Sequence, residues 1–245
     1  MKHRSSNKWL EPDPSWIDSY LSSSDVLIVE RYRMLKILSD ICGYHFDKCQ
    51  NLMMLDLGCG DGIVTKYIRE KYPHNNFTLM DGSLDMIEKA KKNLTGDDVS
   101  FVHKTFENYI SSTLTREKFD LVYSAWAIHH LDIDWKGKLY AKVFGEMRPG
   151  GLFIVMDTVQ PPTERSEKWQ FRMWTDWMNE TLQKIGFIDD IGKYNNVPSC
   201  YKSQEEDKPS PLSEQTELLT KVGFKDVDCF FKYGVFSLFG GIRSE

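Results

Sequence analysis

The sequence predicts an α/β fold: a seven-stranded, mostly parallel sheet with helices on both faces, an antiparallel C-terminal hairpin at one edge, an N-terminal helical cover and an inserted helical lid. Three observations carry that expectation. Between residues 50 and 158, short apolar runs alternate with amphipathic stretches of helical period. A glycine-rich turn, "LDLGCGDG", separates the first such run from the first such stretch. The chain closes with two aromatic-rich runs on either side of Gly234.

The elements follow in order. Residues 1–24 are polar, contain Pro12 and Pro14, and are expected to be partly mobile. From about Val26 to Ile41, Leu27, Ile28, Tyr32, Leu35, Leu38 and Ile41 recur mostly at spacings of three and four, which predicts a helix. "NLMMLDLG" reads as a buried strand, and "IVTKYIREKY" as a helix that ends before Pro73. "FTLMD" is a short strand. "SLDMIEKAKKNL" is a helix opened by a serine cap and ending near Gly96. "VSFVH" and "KFDLVYSAW" are strands. "KGKLYAKVFGEM" is a helix stopped by Pro149-Gly150, and "GLFIVMD" is the next strand. Strands that alternate with helices imply parallel pairing with both faces covered.

The alternation then pauses. Trp174, Trp177, Met178, Leu182 and Ile185 mark a long amphipathic helix over 164–187. Its tryptophans, with Trp169, read as core or lid packing, or as one face of a pocket. Residues 189–213 are polar and contain proline, so a loop or mobile lid is expected. "SEQTELLTKVGF" reads as a capped helix, followed by the hairpin. The organisation expected is a cover over 1–49, a ligand-binding core over 50–158, a lid over 159–213, and a helix with hairpin over 214–245 that completes the sheet.

Bulk properties narrow the function classes. The 245 residues and 41% apolar content suit one large globular domain or one domain with an added lobe. No run of about 18 apolar residues is present, so no membrane span is expected. The start, "MKHRSSNKWLEPDPSW", lacks the apolar segment of a signal peptide. The five cysteines are scattered and form no CxxC pair, which points to a reducing, cytoplasmic setting with neither a disulfide framework nor a zinc site. A net charge of −5 gives no general attraction to nucleic acid.

The glycines have a physical reason. Gly58, Gly60 and Gly62 lie where a strand turns into its helix, and glycine there allows a tight turn and close approach of a ligand. The dinucleotide fingerprint is G-x-G-x-x-G, and Ile63 stands where its third glycine belongs, which argues against a nicotinamide cofactor. Asp81 ends the second strand, where a carboxylate can accept two ribose hydroxyls. With Ser83 following, it could also cap the next helix. The turn carries no basic cradle for phosphate.

"LDLGCGDG" resembles motif I of the class I S-adenosylmethionine-dependent methyltransferases. "FTLMDGSLDMIEKAKKNL" resembles their second strand with its acid, "FDLVYSAWAIHHL" their fourth strand and following loop, and "MRPGGLFIVMD" the turn into their fifth. These four motifs stand in register over residues 50–158. The resemblance implies a Rossmann-like core that binds S-adenosyl-L-methionine. It assigns cofactor contacts to Asp56, Gly58, Cys59 and Gly60 in the first turn, and to Asp81, Gly82, Ser83 and Met86 after the second strand. Thr105 and Phe106 replace the acid the family often places after its third strand, and would hold adenine. Ser124, Trp126 and His129 complete the set, with Trp126 offering its face to the sulfonium.

The implied reaction is in-line transfer of the methyl group, in which alignment and exclusion of water matter most. Where the acceptor must lose a proton, His129 or His130 is the base at hand, though either could be an ordinary loop or core histidine. No Cys/His spacing supports covalent or metal chemistry. The cover and lid would close the site, which suits a small-molecule acceptor and leaves the oligomeric state open. The lid and "VDCFFKYGVFSLFGG" also resemble the carboxy-S-adenosylmethionine synthases, which need a cation for an extra carboxylate; Lys202 and Lys208 are candidates by position. A non-catalytic cofactor-binding module is the remaining alternative.

Overall fold

The computed structural model describes residues 14–113 and 118–244. Seven strands form one sheet: β1 (Met53–Leu57), β2 (Asn76–Asp81), β3 (Val99–His103), β4 (Phe119–Ala125), β5 (Met147–Thr158), β6 (Phe224–Tyr233) and β7 (Phe236–Arg243). Their order is β3-β2-β1-β4-β5-β7-β6. β1 to β5 pair in parallel, while β7 runs antiparallel to both β5 and β6. The order reverses between β1 and β4. That switch point is where open α/β sheets leave a crevice at the carboxyl ends of their strands.

The helices follow from local signals. α3 (Ile63–Lys71) buries Val64, Thr65 and Ile68. α4 (Leu84–Asn93) is capped by Ser83, and α6 (Ile133–Glu146) by Asp132. α7 (Glu164–Lys184) opens with a capping box between Thr163 and Ser166. One apolar cluster joins α3, α4, α7 and the N-terminal helices to one face of the sheet. The other face is covered by α6 and α9 (Leu212–Val222), with Tyr140, Val143 and Leu219 against Phe153 and Phe239.

Several expectations are corrected. The polar leader expected over 1–24 lies outside the described residues up to position 13. From Pro14 it is helical: α1 (Pro14–Leu27) and α2 (Arg31–His45) replace the single helix expected from Val26 to Ile41. Ile28 and Val29 are buried between them, and Glu30 takes a left-handed φ of 52°, which ends one helix and opens the next. Pro149-Gly150 does not stop α6. The helix ends at Glu146, and both residues lie inside β5. A short helix unseen in the sequence, α5 (Phe106–Ser111), is capped by Thr105. The segment after α7 is folded, with α8 (Val197–Ser203) packed through Tyr201 against Trp174. α9 opens at Leu212 behind Pro211 without a side-chain cap.

The lid is anchored to the cover. Trp174 is buried, and its Nε1 donates to Leu27 O at 2.7 Å. Its ring packs edge-on against Phe236 at 5.0 Å. Trp174 and Trp177 therefore join the apolar cluster rather than line the cleft, and Trp169 is half exposed.

Candidate active site

At the switch point the turn after β1 has three glycines in left-handed backbone, with φ of 74°, 55° and 81° at Gly58, Gly60 and Gly62. Their surroundings differ. A Cβ on Gly58 would stand 2.4 Å from Ala127 Cβ, and one on Gly62 would stand 2.8 Å from Leu94 Cδ1. A Cβ on Gly60 would meet nothing within 4 Å. Packing demands glycine at the first and third positions, whereas the second borders open space.

That space is a cleft of about 1150 Å³, its open mouth included. The floor and walls come from the first turn, the end of β2, and the loops after β3 and β4. The roof comes from α1, the break after it and the start of α2, through Tyr20, Leu21, Ser24, Ile28 and Arg31. Of the residues singled out in the sequence, Gly58, Cys59, Gly60, Asp81, Gly82, Met86, Thr105, Phe106, Trp126 and His130 stand in the wall. Asp56, Ser83, Ser124 and His129 do not.

Each of those four does something else. Asp56 is buried beneath the turn, where its Oδ2 accepts from Thr65 Oγ1 at 2.7 Å. Its Oδ1 has no hydrogen-bond partner, and burial pushes the carboxyl up to about 7. Ser83 caps α4 by accepting from Met86 N at 3.4 Å. Ser124 Oγ donates to Leu57 O at 2.6 Å and so braces β4 against β1. His129 is turned away from the cleft, with its Nδ1 2.5 Å from Asp157 Oδ1.

Of Asp56 and Asp81, it is Asp81 that faces the cleft. Its Oδ2 accepts from Gly60 N at 2.9 Å and its Oδ1 from Ser83 N at 2.8 Å. Burial raises its pKa, and these backbone donors oppose the rise. It leaves the capping of α4 to Ser83. Trp126 holds a φ of 52°, a strained conformation for an aromatic residue. Its Nε1 is buried without a partner, and the Arg31 guanidinium lies 5.6 Å from the ring centroid. The ring that sequence reasoning gave to a sulfonium thus already meets a cation.

Arg31, Tyr20 and Lys104 also line the cleft and were missed. Arg31 donates from Nη1 to Ser24 Oγ and Asp25 Oδ1, both at 2.6 Å, while its Nε is buried without a partner. Burial lifts the Tyr20 phenol to about 12. At the β4 end, burial lowers His130, and the neighbouring His129 adds to the fall. Burial also works against charge on His129, but Asp157 and then Asp207 outweigh it, and its net shift is upward. The partner carboxylate Asp157 is shifted down: burial opposes this, and the charge and hydrogen bond of His129 win.

Comparison with known proteins places this geometry in a class. Residues 54–151 match the model of a methyltransferase domain. Over 196 residues the chain is 25% identical to malonyl-(acyl-carrier protein) O-methyltransferase 1 of Ilyobacter polytropus, covering 73% of this chain and 71% of that protein. It is 23% identical over 209 residues to carboxy-S-adenosyl-L-methionine synthase of Staphylococcus epidermidis, covering 82% of each. The structure of an O-methyltransferase family protein from Burkholderia thailandensis superposes with a TM-score of 0.66 at 15% identity, over 96% of this chain and 62% of that one. Residues 54–151 form a methyltransferase domain of the class I S-adenosylmethionine-dependent type, and S-adenosylmethionine is the cofactor of that domain. Among the described residues, no helix is long and apolar enough to cross a membrane.

Proposed function

We propose that the chain transfers the methyl group of S-adenosylmethionine to a small molecule inside this cleft. One observation carries the reading: the helical roof from Tyr20 to Arg31 stands over the floor formed by Gly60 and Asp81. A roofed cleft admits a small acceptor and excludes water, as methyl transfer requires. A polymer would need an open and commonly basic groove, and the chain has a net charge of −5.

The residues fit the cofactor. The open side of Gly60 receives the amino-acid and ribose portion. Each Asp81 oxygen takes one backbone donor and keeps accepting capacity for a ribose hydroxyl. Met86 and Phe106 offer apolar surface for adenine. Arg31, with its unpartnered Nε, suits the cofactor's carboxylate. Asp56 sits one layer below, and its unpartnered Oδ1 suits the ammonium through a water. The acceptor attacks the methyl carbon in line, the carbon–sulfur bond breaks, and its electron pair returns to sulfur. His130 is the histidine on the cleft side of this reaction.

The carboxylated-cofactor alternative has lost its two candidate cations. Lys202 pairs with Glu167 on the surface at 2.5 Å, and Lys208 is exposed outside the cleft. A cytoplasmic setting accords with five unbonded thiols. Calorimetric titration with S-adenosylmethionine, S-adenosylhomocysteine and NADH tests the reading. Binding of the first two alone is expected, followed by a metabolite screen for methyl acceptors. Failure of both to bind, or binding of NADH instead, would overturn it.

A further inference from the structure

Where the cleft meets the lid, three side chains from distant parts of the chain converge: His129 and His130 after β4, and Asp207 from the loop after α8. One nitrogen or oxygen from each lies within 4.8 Å of the others. We propose that they bind a divalent transition-metal ion of the zinc class.

The spacing supports an ion rather than direct pairing. Asp207 Oδ1 is 3.3 Å from His130 Nδ1 and 3.6 Å from His129 Nε2. Ligands about 2.0–2.1 Å from a tetrahedral ion stand about 3.3–3.4 Å apart. A charge-assisted hydrogen bond between imidazole and carboxylate would instead close to roughly 2.7–2.9 Å. Asp207 Oδ1 makes no such bond, although its side chain is 4% exposed. A buried carboxylate oxygen that lies between two imidazoles at these lengths, with no well-directed donor, is placed as a metal ligand would be.

The surroundings support it independently. His129 Nδ1 meets Asp157 Oδ1 at 2.5 Å, and Asp157 is held by His129 N and Thr158 N, each at 2.8 Å. A carboxylate behind one ring nitrogen fixes the tautomer and leaves the other nitrogen's lone pair for a metal. Asp157 and Asp207 together supply two negative charges for a dication. The loop that brings Asp207 is tied down. Lys208 N donates to His129 O at 2.7 Å, and Lys136 Nζ donates to Lys208 O and Ser210 Oγ, both at 2.7 Å. His130 Nδ1 also lies 3.2 Å from Glu206 O. Binding through Nδ1 moves the ring proton to Nε2, and that carbonyl then lies beside the ion.

Two imidazoles and a carboxylate suit zinc-like ions and disfavour magnesium and calcium, which take oxygen ligands. Three protein ligands leave a position open, and His130 also belongs to the cleft wall. An acceptor hydroxyl bound at the open position loses its proton to water more readily; its oxygen then attacks the methyl group, and the carbon–sulfur pair stays on sulfur. This use rests on the methyl-transfer reading, whereas the binding of metal does not.

The test is a titration of the chelator-treated full chain with Zn²⁺ against a chromophoric competitor, and with Co²⁺ read by its visible spectrum. One tight equivalent and a tetrahedral Co²⁺ spectrum are expected. Asp157→Asn should weaken Zn²⁺ binding about 10- to 100-fold, as removal of a supporting carboxylate does. Asp207→Cys should retain Co²⁺ and add a thiolate charge-transfer band at one equivalent, in a variant whose melting curve matches that of the wild-type chain and whose band is absent from the wild type. Absence of a saturable equivalent in the wild-type chain, or a Co²⁺ spectrum unchanged by Asp207→Cys, would overturn the proposal. S-adenosylmethionine titrated separately reports on methyl transfer, so the two readings fail separately.

Discussion

Gly60 and Asp81 are joined across the crevice: the amide of the central glycine of the turn donates to Asp81 Oδ2 at 2.9 Å. The carboxylate that ends β2 therefore shapes the loop that ends β1, as well as facing the cleft. Asp81→Ala should remove both services and weaken S-adenosylmethionine binding by roughly tenfold or more, about 1.4 kcal/mol. Asp81→Asn keeps one acceptor for Gly60 N and should fall between the two. An unchanged dissociation constant for the alanine variant would remove Asp81 from the site.

The glycines of the turn separate binding from folding. A side chain at Gly60 points into open space, so Gly60→Val should abolish cofactor binding while the fold survives, at a backbone cost of roughly 1–2 kcal/mol. Gly62 has Leu94, Leu79 and Ala90 around it, so Gly62→Val must push α4 and β2 apart. Its melting temperature should fall further than that of Gly60→Val. Tight binding by Gly60→Val, or equal melting points, would contradict this division.

The core was legible because its signals are local. Apolar runs, the serine cap of α4 and the glycine turn each act within a few residues. The cleft was legible only in part. β1 is buried on both faces, so its sequence carries no alternation to say which side chain faces the ligand, and whether Asp56 meets the cofactor directly or through water was open; it underlies the turn, which leaves the route through water. Ser124 in β4 and His129 beyond it likewise stand outside the cleft wall. Arg31 enters the cleft because the chain breaks at Glu30, where the periodicity suggested an unbroken helix. Asp207 reaches His130 across 77 positions of sequence, a meeting made by tertiary packing alone.

A second such meeting joins two cysteines that the sequence left unrelated. Cys42 Sγ and Cys49 Sγ lie 3.3 Å apart, both buried. A small oxidant such as hydrogen peroxide should convert these two thiols to a disulfide, taking up two electrons and two protons as it is reduced to water. Peptide mapping should find the Cys42–Cys49 crosslink, and Cys49→Ser should abolish it. Crosslinks through Cys200, the exposed thiol, in place of this pair would refute the prediction.

The buried Asp56 carboxyl ties stability to pH with a definite sign. Burial pushes its carboxyl from the ordinary 3.8 up to about 7 in the fold. Between those values the folded chain binds more protons than the unfolded one, so this group's contribution is fully present below about 4 and is lost as pH rises through about 7. A gap of about three pH units corresponds to at most ~4 kcal/mol. Asp56→Asn retains an acceptor for Thr65 Oγ1 and cannot ionise. Urea unfolding at several pH values should show wild-type stability falling relative to the variant as pH rises from about 4 to about 8. Because an ionised Asp56 is the form that suits an ammonium group, wild-type affinity for S-adenosylmethionine should rise over the same range, and the variant's should not. Parallel stability curves for the two proteins would mean that Asp56 is ionised throughout, and its unpartnered oxygen would then need another explanation.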